Sequence, residues 1–355
     1  MISDSIIEDM AQRLFADSFP REVLLRASRG EWLGVEWERI EESGFTMALV
    51  DEAFGGFGVE REEAISIVRL AGQYAVPLPL AETMLANFLL GRCGLSPTPG
   101  AVALSTSRRC RPLALEITSN GRRVTGLVPS VTWPNDIAGL VAIATTGGGE
   151  AFLVSVPRSG FTVIETLQGI HHHPLATVQV DIEVTDQTCA PLPDGMDGET
   201  ITRLGAALRS AAIAGSMQRI LDMVVTYTAD RTQFGRPLSK FQVIQHQLAT
   251  IAAQTAAAAS CADMIAEAFS EHLDPALIAV TKARTGEASG IVASLSHQLH
   301  GAIGVTQEYE LHYFTNQLWQ WRDEFGNETY WQEALARQAL GDRDGLWPFI
   351  TRIGA

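Results

Sequence analysis

Apolar positions recur at helical spacing through roughly the first hundred residues, alternate over the next ninety, and return to helical spacing afterwards. In the first zone, to residue 98, EEAISIVRLAGQYA and LAETMLANFLLGRCG carry apolar residues three and four apart. The second segment ends on Gly94, a residue suited to a left-handed helix cap. A glycine-rich break, Phe54-Gly55-Gly56-Phe57-Gly58, precedes both. Between about 99 and 190 lie LALEIT, RRVTGLV, GLVAIATT, AFLVSV, FTVIET and VQVDIEV, all short and rich in β-branched residues. Turn formers separate them at Ser119-Asn120-Gly121, Gly147-Gly148-Gly149 and Pro157-Arg158-Ser159-Gly160, which predicts a compact barrel or sandwich. Pro191 to Gly198, with two Pro and two Gly, reads as a linker.

The last zone predicts four long helices. GAALRSAAIAGSMQRILDMVVTYTAD places Leu208, Ala211, Ala212, Met217, Leu221, Val224 and Val225 along one stripe. FQVIQHQLATIAAQTAAAASCADMIAEAF is rich in Ala, which permits close helix approach. A third helix should start at Asp274-Pro275, a capping residue followed by Pro at the first helical position. A fourth should run from about Glu308 to a stop at Gly326. The expectation is an α+β, mainly α protein: a helical N-terminal domain (1–98), a small β-barrel or sandwich middle domain (99–192) and a C-terminal four-helix bundle (193–355).

A length of 355 residues suits several such cores. The net charge of −15, from 41 acidic and 26 basic residues, argues against a nucleic-acid binder, whose affinity comes from Lys and Arg on phosphates. A few local Arg or Lys could still serve one diphosphate. Cys93, Cys110, Cys189 and Cys261 are widely spaced, without CxxC pairs, as expected of a reducing cytoplasm. The first residues carry acids rather than a basic leader, and no apolar run approaches the ~20 residues that span a bilayer. His171-His172-His173 invites a metal reading, but three consecutive residues do not easily converge on one ion, so an exposed loop is expected.

Two motifs carry candidate chemistry. Asp230-Arg231-Thr232-Gln233-Phe234-Gly235-Arg236-Pro237-Leu238, followed by Phe241-Gln242 and Gln245-His246, could be an ordinary helix end with a Pro-containing turn. Functionally, a guanidinium fixed at a rigid helix end suits a bidentate grip on a diphosphate. Gln298-Leu299-His300-Gly301-Ala302-Ile303-Gly304 could likewise be a plain inter-helix turn. Its glycines could also let the backbone approach a bulky ligand while Gln298 donates and accepts alongside.

Taken together, with Thr306, Glu308-Tyr309 and Leu311-His312-Tyr313 following, the two motifs closely resemble the C-terminal domain of acyl-CoA dehydrogenases. Trp37, Glu41-Glu42-Ser43-Gly44-Phe45, Asp51-Glu52-Ala53-Phe54-Gly55-Gly56 and Pro77-Leu78-Pro79-Leu80 extend the resemblance upstream. It implies α,β-dehydrogenation of an acyl-CoA thioester: a carboxylate removes the α proton, FAD takes the β hydrogen as hydride, and electrons pass to an electron transfer flavoprotein. By that resemblance Arg231, Phe234, Gln298, Gly301 and Gly304 line the site for the ADP half of FAD. In the family this portion is donated across a subunit interface, so a dimer or tetramer is implied.

The middle zone departs from the family pattern. The usual Thr-Glu-Pro and Gly-Ser-Asp segments are replaced by Ala103-Leu104-Ser105-Thr106-Ser107-Arg108-Arg109-Cys110, leaving Ser105 and Thr106 as candidate flavin contacts. The family's Trp-Ile-Thr strand survives as Val131-Thr132-Trp133-Pro134-Asn135-Asp136, where Trp133 could stack beside the isoalloxazine or be an ordinary half-buried Trp. The usual base position falls on Phe325, which cannot accept a proton, and the alternative position near Gly205 also lacks a carboxylate. Asp323 and Glu324 flank the vacancy. A helix rotates by about 100° per residue, which places both on a solvated face unless the helix end is distorted. Glu324 is the candidate base on that condition. Trp319, Trp321, Tyr330 and Trp331 read as core or interface aromatics.

Three readings follow. The chain is a self-sufficient acyl-CoA dehydrogenase using Glu324 or another carboxylate, or the base-lacking subunit of a hetero-oligomer acting on bulky CoA thioesters such as steroid side-chain acyl groups, or a flavin-free structural subunit on the same scaffold. Retention of Arg231 and the HGxxG turn favours the second over the third, and the missing base favours it over the first.

Overall fold

The computed structural model describes residues 5–107, 109–118, 121–269 and 274–353. The turn formers Ser119 and Asn120, and Arg108 of the middle zone, lie outside them. The helices of the first zone are α1 (Ile6–Ser18), α2 (Arg21–Ser28), α3 (Gly34–Glu42), α4 (Arg61–Gln73) and α5 (Leu80–Arg92). The glycine break holds Gly55 and Gly58 at positive φ, 92° and 67°, just where a β-carbon would be strained. Strands follow as β1 (Val102–Ala103), β2 (Leu113–Thr118), β3 (Gly121–Thr132), β4 (Gly139–Thr145), β5 (Ala151–Pro157), β6 (Phe161–Gln168), β7 (Pro174–Val184) and β8 (Cys189–Pro191). The long α6 (Gly198–Asp230) leads into the small hairpin β9 (Thr232–Gln233) and β10 (Arg236–Pro237). After it come α7 (Gln242–Asp263), α8 (Pro275–His300), α9 (Leu311–Asp323), α10 (Glu328–Gly341) and α11 (Leu346–Arg352).

The chain forms two compact units, one of residues 1–24, 65–76 and 206–355, the other of residues 25–64 and 77–205. In the second unit, eight strands form one sheet ordered β6-β7-β3-β2-β4-β5-β8, with β1 parallel to β4. Alternation sets the register: Val124 and Val128 of β3 lie opposite Ile182 and Val178 of β7. The β3–β7 ladder is interrupted between Val128 and Val131, where Ser130 takes a φ of 56°. Such a bulge re-aims the strand end that carries Trp133. Helix α5 is buried along almost its whole length, as an all-round apolar sequence requires.

In the first unit the expected bundle is present. Helix α8 packs against α7, α9 and α10, and opens as expected, with Pro275 in its first turn and Asp274 accepting from the Ala276 amide at 2.8 Å. The fourth helix is shorter than expected, covering Leu311–Asp323, because the chain leaves helical geometry at Glu324 (φ −65°, ψ 137°) and starts a new helix at Glu328. Close approach of α4 and α6 depends on two glycines. A β-carbon on Gly72 would meet the Ala212 carbonyl oxygen at 2.0 Å, and one on Gly215 would meet that of Arg69 at 1.8 Å.

Candidate functional site

The first candidate region lies at the ends of α6 and α8. Tyr227, one turn before Arg231, donates its hydroxyl to the His300 carbonyl at 3.2 Å and stacks on the His300 ring at 4.4 Å. That contact brings the Asp230–Leu238 motif and the Gln298–Gly304 motif together. The Leu238 amide donates to the Arg231 carbonyl at 2.9 Å and closes the hairpin. At its tip Phe234 and Gly235 are left-handed, with φ 52° and 79°, the pairing that a two-residue hairpin of type I′ demands. Phe234 is thereby held 91% exposed, its ring edge against Phe241 at 6.2 Å, while Arg236 lies over the Phe241 ring at 4.1 Å. Arg231, Gln298 and Gly301 are also exposed, and a β-carbon on Gly301 would meet nothing within 4 Å.

His300 Nδ1 faces the Ser296 carbonyl at 2.9 Å and therefore donates, and its Nε2 shares a hydrogen bond with the Tyr309 hydroxyl at 3.1 Å. Burial lowers the pKa of His300 and of His297, whose Nε2 lies 2.8 Å from the Thr315 hydroxyl, and burial raises that of Tyr309. Gly304 is buried, 3.1 Å from the His300 and Leu311 side chains if given a β-carbon, so it serves packing as much as ligand access.

The second region is the turn after α9. Glu324 is 5% exposed rather than on the solvated face that helical rotation predicts, because α9 ends one residue earlier and the extended backbone turns its side chain inward. There its Oε2 accepts from Arg209 Nε at 2.6 Å and its Oε1 from Gln320 at 3.0 Å. Arg209 is itself 5% exposed, with its guanidinium 5.5 Å from the centre of the Trp321 ring. Both carboxylate oxygens of the candidate base are thus engaged by protein donors. Phe325 follows, buried and left-handed at φ 55°, then Gly326 at φ 100°. Trp331 Nε1 donates to the carbonyls of both, at 3.1 Å each. Asp323 remains exposed. Trp321 and Trp331 are core residues, as expected, while Trp319 is partly exposed and stacks on His297.

The third set lies in the other unit. Trp133 is 1% exposed and left-handed at φ 49°, with its indole N–H donating to the Pro77 carbonyl at 2.9 Å. Its ring stacks on His173 at 5.6 Å and meets Trp32 edge-on at 5.4 Å. The expected exposed loop at His171–His173 is corrected here: only His172 is exposed, while His171 and His173 are buried and stacked on each other at 4.2 Å. The aromatic neighbourhood of Trp133 draws them in, and burial, followed by the neighbouring His171 and His172, holds the His173 pKa well below its usual value. Ser105 donates to the Pro129 carbonyl at 2.6 Å and accepts from the Ser107 amide, and Thr106 is buried. Among the described residues, no group of three or more His, Cys, Asp or Glu could hold a metal ion, and no helix is long and apolar enough to cross a membrane.

Sequence reasoning missed Tyr227, Arg209 and Lys282. Only Lys282 left a signal, a lone cation within the small and apolar run Ala279–Ala283 of α8.

Known proteins share the sequence pattern of the bundle and the fold. Residues 196–321 match the family model for the acyl-CoA dehydrogenase C-terminal domain. Acyl-CoA dehydrogenase IpdE2 of Mycobacterium tuberculosis is 29% identical over 276 residues, covering 77% of this chain and 76% of that one. Among solved structures, the ChsE4–ChsE5 complex of M. tuberculosis aligns with a TM-score of 0.82 at 19% identity, over 95% of this chain and 96% of that one. Butyryl-CoA dehydrogenase of Megasphaera elsdenii aligns with a TM-score of 0.84 at 18% identity, over 96% and 100%. The fold is that of the acyl-CoA dehydrogenases. Residues 196–321 thus carry the acyl-CoA dehydrogenase C-terminal domain, and the chain as a whole is similar to curated acyl-CoA dehydrogenases.

Proposed function

We propose that this chain takes part in flavin-dependent α,β-dehydrogenation of an acyl-CoA thioester as the base-lacking subunit of a hetero-oligomer, with electrons passed to an electron transfer flavoprotein. One contrast carries the reading: Arg231, Phe234, Gln298 and Gly301 stand open to a ligand, whereas position 325 is a buried Phe and Glu324 is bound to Arg209. The open residues fit the ADP half of FAD. Arg231 would grip the diphosphate, the ring of Phe234 would cover a flat aromatic group, and Gly301 would let backbone approach. The residues expected around the isoalloxazine do not present themselves in the same way, since Trp133 is enclosed and Ser105 is engaged by backbone. FAD supplies the hydride acceptor when bound; a partner chain would supply the carboxylate that takes the α proton. The ChsE4–ChsE5 complex, a structure of two different chains, supports such an assembly. Bulky acyl groups such as steroid side chains are the substrate class this reading favours.

The test is co-expression with a second dehydrogenase-like chain, followed by visible spectroscopy and addition of acyl-CoAs. Flavin bleaching by the pair, and none by the chain alone, is expected. Bleaching by the chain alone, abolished in Glu324→Gln, would overturn the obligate-partner reading. A colourless pair would favour the flavin-free structural reading instead.

A further inference from the structure

At the open end of α6 and α8, the turn at Gly301 presents backbone to a ligand, yet nothing on its outer side fixes its shape. Gly301 is exposed, and a β-carbon on it would meet nothing within 4 Å. Its φ of 66° and ψ of −146° belong to a region that glycine alone readily adopts. Its amide donates back to the His297 carbonyl and caps α8. Where the turn begins is therefore decided by His300, the last residue of the helix.

His300 is held by groups from three segments. Its Nδ1 donates to the Ser296 carbonyl of its own helix at 2.9 Å, and its Nε2 shares a hydrogen bond with the hydroxyl of Tyr309, beyond the turn, at 3.1 Å. Its ring stacks on Tyr227 of α6, with centroids 4.4 Å apart and planes 25° from parallel, and the Tyr309 ring leans on it at 4.8 Å. Tyr227 donates to the His300 carbonyl at 3.2 Å and meets Tyr309 edge-on at 6.0 Å. The three rings thus touch pairwise. Through them the end of α6, with Arg231 one turn further on, is tied to Gln298 and Gly301. The bundle itself is secured elsewhere, by α8 against α7, α9 and α10 and by the close approach of α4 and α6 at Gly72 and Gly215. Both tyrosines are only half-buried.

We propose that Tyr227, His300 and Tyr309 are positioning residues for the ADP half of a dinucleotide, an inference that rests on the reading of this end as the ADP site. The clamp sets the spacing between the Arg231 guanidinium and the Gln298–Gly301 edge, and so sets nucleotide affinity without touching the nucleotide. A bidentate grip on a diphosphate is sensitive to that spacing, because a ligand that meets Arg231 and the turn at once loses contact with one when the other shifts. Without the Tyr309 hydroxyl the rings still pack, but His300 loses its tie to the far side of the turn.

The test uses the full chain assembled with its partner and stripped of flavin, with ADP as the probe and its affinity read by calorimetry. Tyr309→Phe keeps the ring and removes the hydroxyl. The ADP Kd is expected to rise about tenfold, the scale of one net hydrogen bond, while the thermal midpoint falls by no more than about 2–4 °C. Combined with Arg231→Lys, which has already lost the two-pronged grip that the spacing serves, the same change should cost clearly less than tenfold. Tyr227→Phe loosens the clamp from the α6 side, should show the same pattern, and decides the matter if Tyr309→Phe fails to fold. An ADP Kd unchanged in both Tyr variants but raised in Arg231→Gln overturns the clamp and leaves the ADP site standing. So does a full tenfold loss on top of Arg231→Lys, the mark of general loosening. ADP that fails to bind the wild type, or binds Arg231→Gln equally well, removes the ADP site itself and the clamp with it.

Discussion

The open end of α6 and α8 and the closed turn after α9 sit in one compact unit, yet they treat polar side chains in opposite ways. At the open end Arg231, Phe234 and Gln298 face outward, held by backbone and by Tyr227 rather than by one another. At the turn Arg209, Glu324, Gln320 and Lys282 bond inward. The difference teaches that one bundle can seal a carboxylate into internal bonds while leaving a neighbouring motif open to solvent. Glu324, beside the buried Phe325, is half of an internal ion pair, and both of its carboxylate oxygens are already engaged.

The contrast is most sharply broken at Arg209. Arg209→Met leaves a buried carboxylate unpaired and should cost about 3–5 kcal/mol in denaturant unfolding, whereas Arg209→Met with Glu324→Leu should recover most of the loss. A double variant as unstable as the single would mean that Glu324 is anchored by something other than this pair. Next in size, Phe325→Ala should lose about 3–5 kcal/mol, the cost of emptying a buried Phe site, compounded by the left-handed backbone that alanine also disfavours. Phe325→Glu should be similarly damaging, and the lone chain carrying it should still fail to bleach with acyl-CoA.

Smaller effects are expected at the open end. Tyr227→Phe removes a single hydroxyl contact to the His300 carbonyl and should cost about 1 kcal/mol. The two His residues beneath have folded-state pKa values below the unfolded value of about 6.5, so the unfolded chain binds more protons. Their contribution to stability is therefore present above that pH and lost as pH falls below it. Protection of the amides at 301–306 should decline on acidification below about pH 6.5. The smallest change in stability, within about 0.5 kcal/mol, is expected for Arg231→Gln and Phe234→Ala, while FAD retention by the assembled protein falls markedly. Undiminished FAD retention in both would remove the open end from the proposed cofactor site.

Much of this was legible in the sequence, for reasons that differ by element. The LALEIT and AFLVSV strands announce themselves because alternation and β-branching act locally, and Asp274-Pro275 is a capping signal read over three residues. The end of α9 was not legible. Glu324 leaves the helix because Lys282, some forty residues away, collects the carbonyls that α9 leaves unpaired, and no local signal reports that. The burial of His173 involves likewise a stack on Trp133, which is distant in sequence and itself packed against Trp32. At the candidate site, motif spacing identified the residues that face outward, since ligand-facing positions are set by short segments. The residues that fix their surroundings are long-range partners and were missed.

The scarcity of lysine has a chemical consequence of its own. Activated thioesters transfer their acyl groups to unprotonated amines, and guanidinium groups, which stay protonated, are poor acceptors. With Lys282 sealed inside the protein, Lys240 is the one lysine side chain left on the surface, so a reactive thioester would find a single lysine amine there to acylate.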